Sequence, residues 1–287
     1  MLAPKGPNAA QIQFWNETAG QKWVNYQETI NAHARPFGLL AMDRISVKPG
    51  ERVLDVGCGC GDATFELARR VGTTGAITGI DLSSIMLARA RESAEDLGLT
   101  HVRFTNADAQ TYAFQPQSFD LFYSRFGIMF FTDPQKAFEN LFRALCPGGR
   151  FAFVCWQEFK KNLWALVPTE AVAKHIEVPP SIPDAPGPFA FAKAERLGGV
   201  LCEVGFHQIS IEGSIKEVPI GAGCDLDVAV DFLFQMGPAA AAIRRAGQPE
   251  KRGVLLDALR EAVAPYQTPQ GVHMQAAAWI VTGCRPY

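Results

Sequence analysis

This 287-residue chain has no surplus of positive charge: 27 lysines and arginines stand against 29 acids, for a formal net charge of −2. A surface that tracks a phosphate backbone shows as a basic excess, so large nucleic acids are poor candidate partners. No apolar run approaches the ~18 residues of a membrane span. Met1–Ala10 holds one lysine and two prolines but no apolar core of signal-peptide length. The seven cysteines, at 58, 60, 146, 155, 202, 224 and 284, are odd in number and scattered. That pattern argues against a disulfide framework and for a reduced compartment. There is no internal repeat and no low-complexity segment. With 48% hydrophobic and 20% charged residues the composition is that of a globular chain, and the expectation is a soluble, cytoplasmic protein.

What the chain does have is concentrated in Arg52-Val53-Leu54-Asp55-Val56-Gly57-Cys58-Gly59-Cys60-Gly61-Asp62. Residues suited to a buried strand run into glycines at alternate positions, and a helical pattern follows. Such a strand–turn–helix brings backbone and a helix N-terminus close to a ligand. Glycine suits it because a Cβ would obstruct both positive φ and close approach.

From residue 52 to 156 short apolar runs alternate with helical segments. The runs are Val53–Val56, Ala76–Ile80, Val102–Phe104, Phe119–Tyr123 and Arg150–Trp156. Between them, Ala63–Val71 and Ser84–Leu97 read as helices, and Asp133 with Pro134 opens another that ends near Leu145. This alternation predicts right-handed βαβ units and a parallel sheet. Further on, Ala190–Val204 reads as a helix closed by Gly205, while Gln208–Val218 and Val272–Gly283 read as strands. Three stretches do not fit the sheet: Gln11–Ile45, Lys160–Pro188 and Gly221–Gln270. They read as a cap over it.

Ligands of open α/β sheets bind beyond the carboxyl ends of the strands. The glycine turn lies there, as do Asp81, Asp108 and Ser124-Arg125-Phe126-Gly127. An acid such as Asp81 at the end of the second strand suits a ribose diol, which NAD and S-adenosylmethionine share. The turn separates the two. A dinucleotide fingerprint places glycine three positions after its second glycine; here Asp62 stands three positions after Gly59. That acid, with Asp55, suits a cationic ligand better than a pyrophosphate.

Val53–Gly61 resembles the first motif of the class I S-adenosylmethionine-dependent methyltransferases. Gly79-Ile80-Asp81-Leu82-Ser83 is similar to their second motif and Asn106-Ala107-Asp108-Ala109 to their third. Phe119-Asp120-Leu121 and Pro147-Gly148-Gly149-Arg150 match later ones in order and spacing. The likeness spans roughly residues 50 to 156 and is greatest to the ubiquinone/menaquinone-biosynthesis-type small-molecule enzymes. It implies a Rossmann-like, mostly parallel seven-stranded sheet flanked by helices, with its last strand antiparallel. The implied division is an N-terminal helical lid at 1–46 and a methyltransferase domain at 47–287, carrying cap segments at about 160–188 and 221–270.

The resemblance also implies roles. Gly57, Gly59 and Gly61 would contact the methionine part of S-adenosylmethionine through backbone groups, with Asp55 inside the motif. Asp81 would hold the ribose, Leu82 and Met86 the adenine face, and Asp108 and Ala109 the adenine edge. Ser124 and Arg125 would lie near the methionine end. Aromatic faces stabilise a sulfonium and exclude water, which directs attention to Phe126, Met129, Phe130, Phe131 and Trp156. Trp15, Trp23 and Tyr26 would either cover the cofactor or pack the N-terminal helix. Of five histidines, His175 and His273 are weak candidates for a general base. Cys58 and Cys60 are too closely spaced within a glycine turn for a four-ligand zinc site, and no metal is expected.

The loop after the fourth strand lacks the Asn/Asp-Pro-Pro-aromatic run common in amino-group methyltransferases of nucleic acid and protein. The expected activity is therefore methyl transfer to a small, partly apolar molecule, the acceptor atom (O, S, N or C) and the oligomeric state left open. Two alternatives stand beside it: a non-catalytic cofactor-binding module on the same fold, and a nicotinamide-dependent oxidoreductase, which Asp62 and the glycine spacing oppose.

Overall fold

The computed structural model describes residues 2–178, 180, 182, 184–221 and 225–287. Within the expected cap segments Pro179, Ser181, Pro183, Ala222, Gly223 and Cys224 lie outside the described residues, as does Met1.

Eight strands form one sheet: β1 (Arg52–Val56), β2 (Ala76–Asp81), β3 (Val102–Asn106), β4 (Phe119–Arg125), β5 (Leu145–Trp156), β6 (His207–Ile220), β7 (Gln267–Thr268) and β8 (Gly271–Cys284). Their order is β3-β2-β1-β4-β5-β8-β6, with β7 paired to β8. The first five run parallel, and β8 is antiparallel to both β5 and β6. The seven expected strands are therefore present, joined by the two-residue β7. Two residues carry no hydrophobic period, so the sequence gives β7 no signal.

The helices between strands follow from side-chain spacing and caps. In α4 (Asp62–Val71) Ala63, Leu67, Ala68 and Val71 share the buried face. Ser83 caps α5 (Ser84–Asp96) by accepting from the Met86 amide at 3.3 Å. Asp133 does the same for α6 (Pro134–Ala144), accepting from Lys136 N at 3.1 Å. Gly205, at φ 98°, closes α8 (Ala194–Val204) in the left-handed conformation that terminates helices.

The N-terminal segment is divided. Helix α1 (Ala9–Gln13), a π-helical turn (Phe14–Thr18) and α2 (Gly20–Asn25) lie across the carboxyl ends of β2 and β3. Helix α3 (Gln27–Ile45) belongs to the core: Phe37, Ala41 and Met42 are buried against β5 and β6. Burying each of the larger two contributes roughly 1.5–3 kcal/mol. Gly38 permits this approach. A Cβ there would lie 2.7 Å from Arg125 Cδ and 2.9 Å from the Tyr123 hydroxyl, which donates to the Gly38 carbonyl at 3.1 Å.

The β6–β8 ladder outruns β5. Trp156, the last residue of β5, pairs with Ala278, while β6 continues along β8 to Ile220 opposite Val272. On this projecting ribbon sit α7 (Leu163–Ala173), α9 (Leu226–Gln235), α10 (Gly237–Ala246) and α11 (Arg252–Val263), which pack on one another. Among the described residues no single helix is long and apolar enough to cross a membrane.

Candidate functional site

A cleft opens where β1, β2 and β4 end, and the glycine turn forms its floor. Gly57, Gly59 and Gly61 all take positive φ (69°, 55° and 91°), but for different reasons. A Cβ on Gly57 would lie 2.8 Å from the Gly127 Cα, so Gly57 lets two loops touch. A Cβ on Gly59 would meet only the Met86 sulfur, at 3.8 Å, so Gly59 keeps the cleft open. Gly61 is the N-cap of α4 and lies against the Phe65 ring.

The amide protons that the turn spends go mostly to the end of β2. Gly57 N and Cys58 N donate to the Ile80 carbonyl at 2.8 and 3.2 Å, and Gly61 N donates to Cys58 O at 3.0 Å. Gly59 N donates to Asp81 Oδ2 at 2.8 Å. With these amides taken, what Gly59 offers a ligand is room.

Asp81 is the acid aimed into that room. Ser83 N donates to its Oδ1 at 2.8 Å, so each oxygen accepts one backbone bond and retains a lone pair. Burial raises its pKa, and the Ser83 and Gly59 amides oppose the shift. Leu82, Met86, Asp108 and Ala109 line the same cleft, with Arg125, Phe126, Gly127, Phe130 and Phe131 across from them.

Asp55 and Asp62 stand elsewhere. Asp55 is buried beneath the turn, where Thr64 Oγ1 donates to its Oδ2 at 2.6 Å. Its Oδ1 has no partner. Burial pushes its pKa up to about 6, against the Thr64 bond and the Arg125 charge. Asp62 accepts from Gln27 Nε2 at 3.2 Å and faces a separate groove between α3 and α4, shared with Asn31, Arg35 and Arg125. Its placement at a helix N-terminus, where acids are stabilised, took it away from the glycine floor.

Asp108 is held by a residue that sequence reasoning missed. Asn8, almost wholly buried, donates its amide to both Asp108 oxygens at 2.9 Å. The Asn8 carbonyl accepts from Thr132 N at 2.9 Å, and Gln110 N also donates to Asp108 Oδ1 at 2.9 Å. No motif marks Asn8. Its role comes from where the N-terminal chain lands.

Trp15 and Trp23 line the same cleft, packed with Met86 and Phe130. They meet edge to face at 5.4 Å, and Trp15 meets Phe130 the same way at 5.1 Å. The Trp15 carbonyl accepts from Ser83 Oγ at 3.0 Å, and Asn16 Oδ1 accepts from Ser84 N at 3.0 Å. The strap is thus pinned to the cap of α5. Tyr26 donates to Asp231 on α9 at 2.7 Å, linking the strap to the cap helices.

Beyond β4 the character changes. Ser124 is fully buried and donates to Val56 O at 2.7 Å, tying β4 to the floor instead of facing a ligand. Arg125 donates to Asn31 Oδ1 at 2.7 Å between cleft and groove. Phe126 takes φ 62°, a conformation that costs a bulky residue energy and marks functional loops. Its ring stacks on Trp156 at 3.9 Å and 19°. Met129 is core, its sulfur accepting from Trp156 N at 3.5 Å.

Neither histidine singled out by sequence reaches the cleft. His175 lies just after α7, its carbonyl taken by Lys251 Nζ at 2.7 Å, and His273 Nδ1 lies 3.2 Å from Gly271 O. Cys58 and Cys60 are buried. Burial, followed by nearby acids, raises both thiols, that of Cys60 to about 12. No cluster of three metal-ligating side chains occurs among the described residues.

Comparison with known proteins agrees with this geometry. Residues 47–178 match a family model described as a methyltransferase domain. The chain is 35% identical over 135 residues to the aklanonic acid methyltransferase DauC of Streptomyces sp. (strain C5), covering 47% of this chain and 61% of that one. It is 35% identical over 161 residues to the ubiquinone/menaquinone biosynthesis C-methyltransferase UbiE of Cronobacter sakazakii, covering 56% and 62%. The chain thus spans about three-fifths of the length of these relatives. Among solved structures, phosphoethanolamine N-methyltransferase 2 of Haemonchus contortus superposes with a TM-score of 0.61 at 20% identity, covering 96% of this chain and 60% of that one.

The residues present fit S-adenosylmethionine. Asp81 keeps two lone pairs for a ribose diol, and Gly59 leaves its side of the cleft open. Over residues 47–178 the chain is thus similar to a methyltransferase domain, and its cleft carries residues suited to S-adenosylmethionine.

Proposed function

We propose that this protein transfers a methyl group from S-adenosylmethionine to a small, partly apolar acceptor. The observation that carries the reading is the pairing of Asp81 with Gly59 across an open floor, bounded on its far side by Phe126 and Phe130. When bound, the cofactor supplies an activated methyl group with its own leaving group. The chain's work is then to hold the acceptor in line and keep water out, which contributes up to roughly 7–11 kcal/mol in favourable cases. Asp81 fixes the ribose, Leu82 and Met86 flank the adenine, and the strap carrying Trp15 and Trp23 closes the adenine side. The aromatic residues after β4 and β5 form the acceptor's side. Relatives named for aklanonic acid methylation and for ubiquinone/menaquinone biosynthesis support a small organic acceptor.

Calorimetric titration tests the reading. S-adenosylhomocysteine binds saturably, and Asp81→Ala weakens it by more than about 100-fold, the loss of two carboxylate hydrogen bonds at roughly 1.5–3 kcal/mol each. Binding of NADH with no response to S-adenosylhomocysteine would contradict it. Release of S-adenosylhomocysteine on incubation with small hydroxylated, amino and thiol compounds then separates an enzyme from a binding module.

A further inference from the structure

The sheet has two edges, and they are unlike. The β3 edge is five residues long, whereas the β6 edge is fourteen. Proteins guard a long edge against stray pairing with proline, bulges and charge. In β6 the proline and the irregularity stand near the ends: Pro219 at one, and a register shift between His207 and Ser210 at the other. Between them Ile211–Glu217 keeps an unbroken register with β8. No residue of that stretch is buried. Among the described residues, none of them makes a backbone–backbone hydrogen bond outside the β8 ladder. An edge in this state is a template for another strand.

The order of side chains decides which strand fits. Ser214 lies midway between Glu212 and Lys216. Two copies of this stretch, antiparallel and with Ser214 opposite Ser214, place Glu212 of each against Lys216 of the other. Alternate residues of a strand share a face, and opposite charges set across antiparallel strands attract. Edge charges normally repel a second copy; symmetric about Ser214, these attract it in one register. We propose that β6 pairs in this register with β6 of a second copy of the chain, about a two-fold axis at Ser214, so that two sheets become one. Each contact then occurs twice, once on either side of the axis, as a closed dimer requires.

The other face of the strand agrees. Ile215 is 61% exposed, and in this register it lies beside Gly213 of the second copy. Gly213 puts no side chain between that isoleucine and Trp279, its neighbour on β8; a Cβ on Gly213 would lie 3.4 Å from the Trp279 Cζ3. Isoleucine and the half-buried indole thus shield each other from water, which stabilises the pair. Glu217 falls opposite Ile211, which lies against Gly198 of α8 and leaves that carboxylate in water. Within its own chain Glu212 meets Arg44 of α3 at 3.0 Å and accepts from Ser210 Oγ at 3.0 Å. Lys216 makes no salt bridge among the described residues. The paired stretch spans about 24 Å, a small interface, so the dimer forms with a Kd on the order of 10 µM.

Sedimentation velocity, with no ligand added, tests this independently of the methyl-transfer reading. From about 1 to about 200 µM the unsubstituted protein passes from one chain to two. Glu212→Lys and Lys216→Glu each set like charges opposite one another twice, and each weakens self-association about tenfold or more. An equimolar mixture of the two variants restores the two-chain species, because every like pair becomes an opposite one. The chain carrying both substitutions pairs with itself again. Neither position is buried, so both variants melt within a few degrees of the unsubstituted protein. The cofactor cleft lies at the ends of β1, β2 and β4, and S-adenosylhomocysteine affinity is unchanged. The mass of a single chain at every concentration, dimers that neither substitution weakens, or a mixture that stays as single chains would overturn the proposal.

Discussion

At the β2–β3 end of the cleft the inward-facing groups are carboxylates, held in place by amides; at the β4–β5 end they are rings, held in place by other rings. Asp81 is positioned by the amides of Gly59 and Ser83, and Asp108 by Asn8 and the amide of Gln110. Phe126 is positioned by its stack on Trp156, and Trp156 by Phe37, His33 and Trp164. At the first end each acid is held by an amide two positions on and by one partner from farther along the chain, Gly59 for Asp81 and Asn8 for Asp108. The second is assembled from α3, β4, β5 and α7, which are distant along the chain. A ligand with a polar, hydroxylated half and a reactive centre pointing to an apolar half fits the boundary between them.

The glycine turn lies on that boundary, and substitution there separates the two kinds of work most sharply. Gly57→Ala carries the largest expected cost to the fold. Its methyl meets the Gly127 backbone and occupies a left-handed conformation worth about 1–2 kcal/mol by itself; overpacking adds about 1–3 kcal/mol. Gly59→Ala pays only the conformational part, since its methyl finds open space, yet that space is where the ligand sits. Thermal melts with and without S-adenosylhomocysteine distinguish them. Gly57→Ala melts several degrees lower in both conditions. Gly59→Ala melts within a few degrees of the unsubstituted protein but loses most of the ligand-induced rise. Equal behaviour of the two variants would erase the distinction between structural and ligand-facing glycines.

A smaller effect sharpens the same comparison within the N-terminal segment. Leu2–Asn25 lies over the carboxylate end, fastened through Asn8, Asn16 and the Trp15 carbonyl. Helix α3 is buried against the sheet behind the aromatic end. Adding S-adenosylhomocysteine should slow amide hydrogen exchange in residues 9–25 by about tenfold or more and leave the buried stretch around Phe37–Met42 almost unchanged. Uniform slowing through residue 45 would make the whole segment a single lid.

What could be read from the sequence follows the same division. Val53–Val56, the glycines and Asp81 were legible because strand, turn and acid are local and carry a periodic or conformational signature. The turn's use of its own amides was not legible, because a glycine spacing records where backbone approaches closely and says nothing of which donors stay free. The carboxylate end gave up Asp81 and Asp108 but concealed Asn8, whose partner is a hundred positions away. At the aromatic end, Phe126 and Trp156 were visible as residues following strands. The packing behind them was not, because it depends on Gly38 letting α3 approach Tyr123 and on Trp164 arriving from α7. His175 and His273 looked better placed in sequence, yet their positions at the end of α7 and on the projecting β8 put them outside the cleft. Ser124 looked like a ligand contact because it follows a strand, and became a tie to Val56 instead.

The boundary itself is tested most directly by a crystal structure with S-adenosylhomocysteine. Its ribose hydroxyls are expected on Asp81, its adenine between Leu82 and Met86, and its sulfur directed toward Phe126. An adenine found against Phe126 and Trp156, or a ligand seated in the groove between α3 and α4, would contradict it.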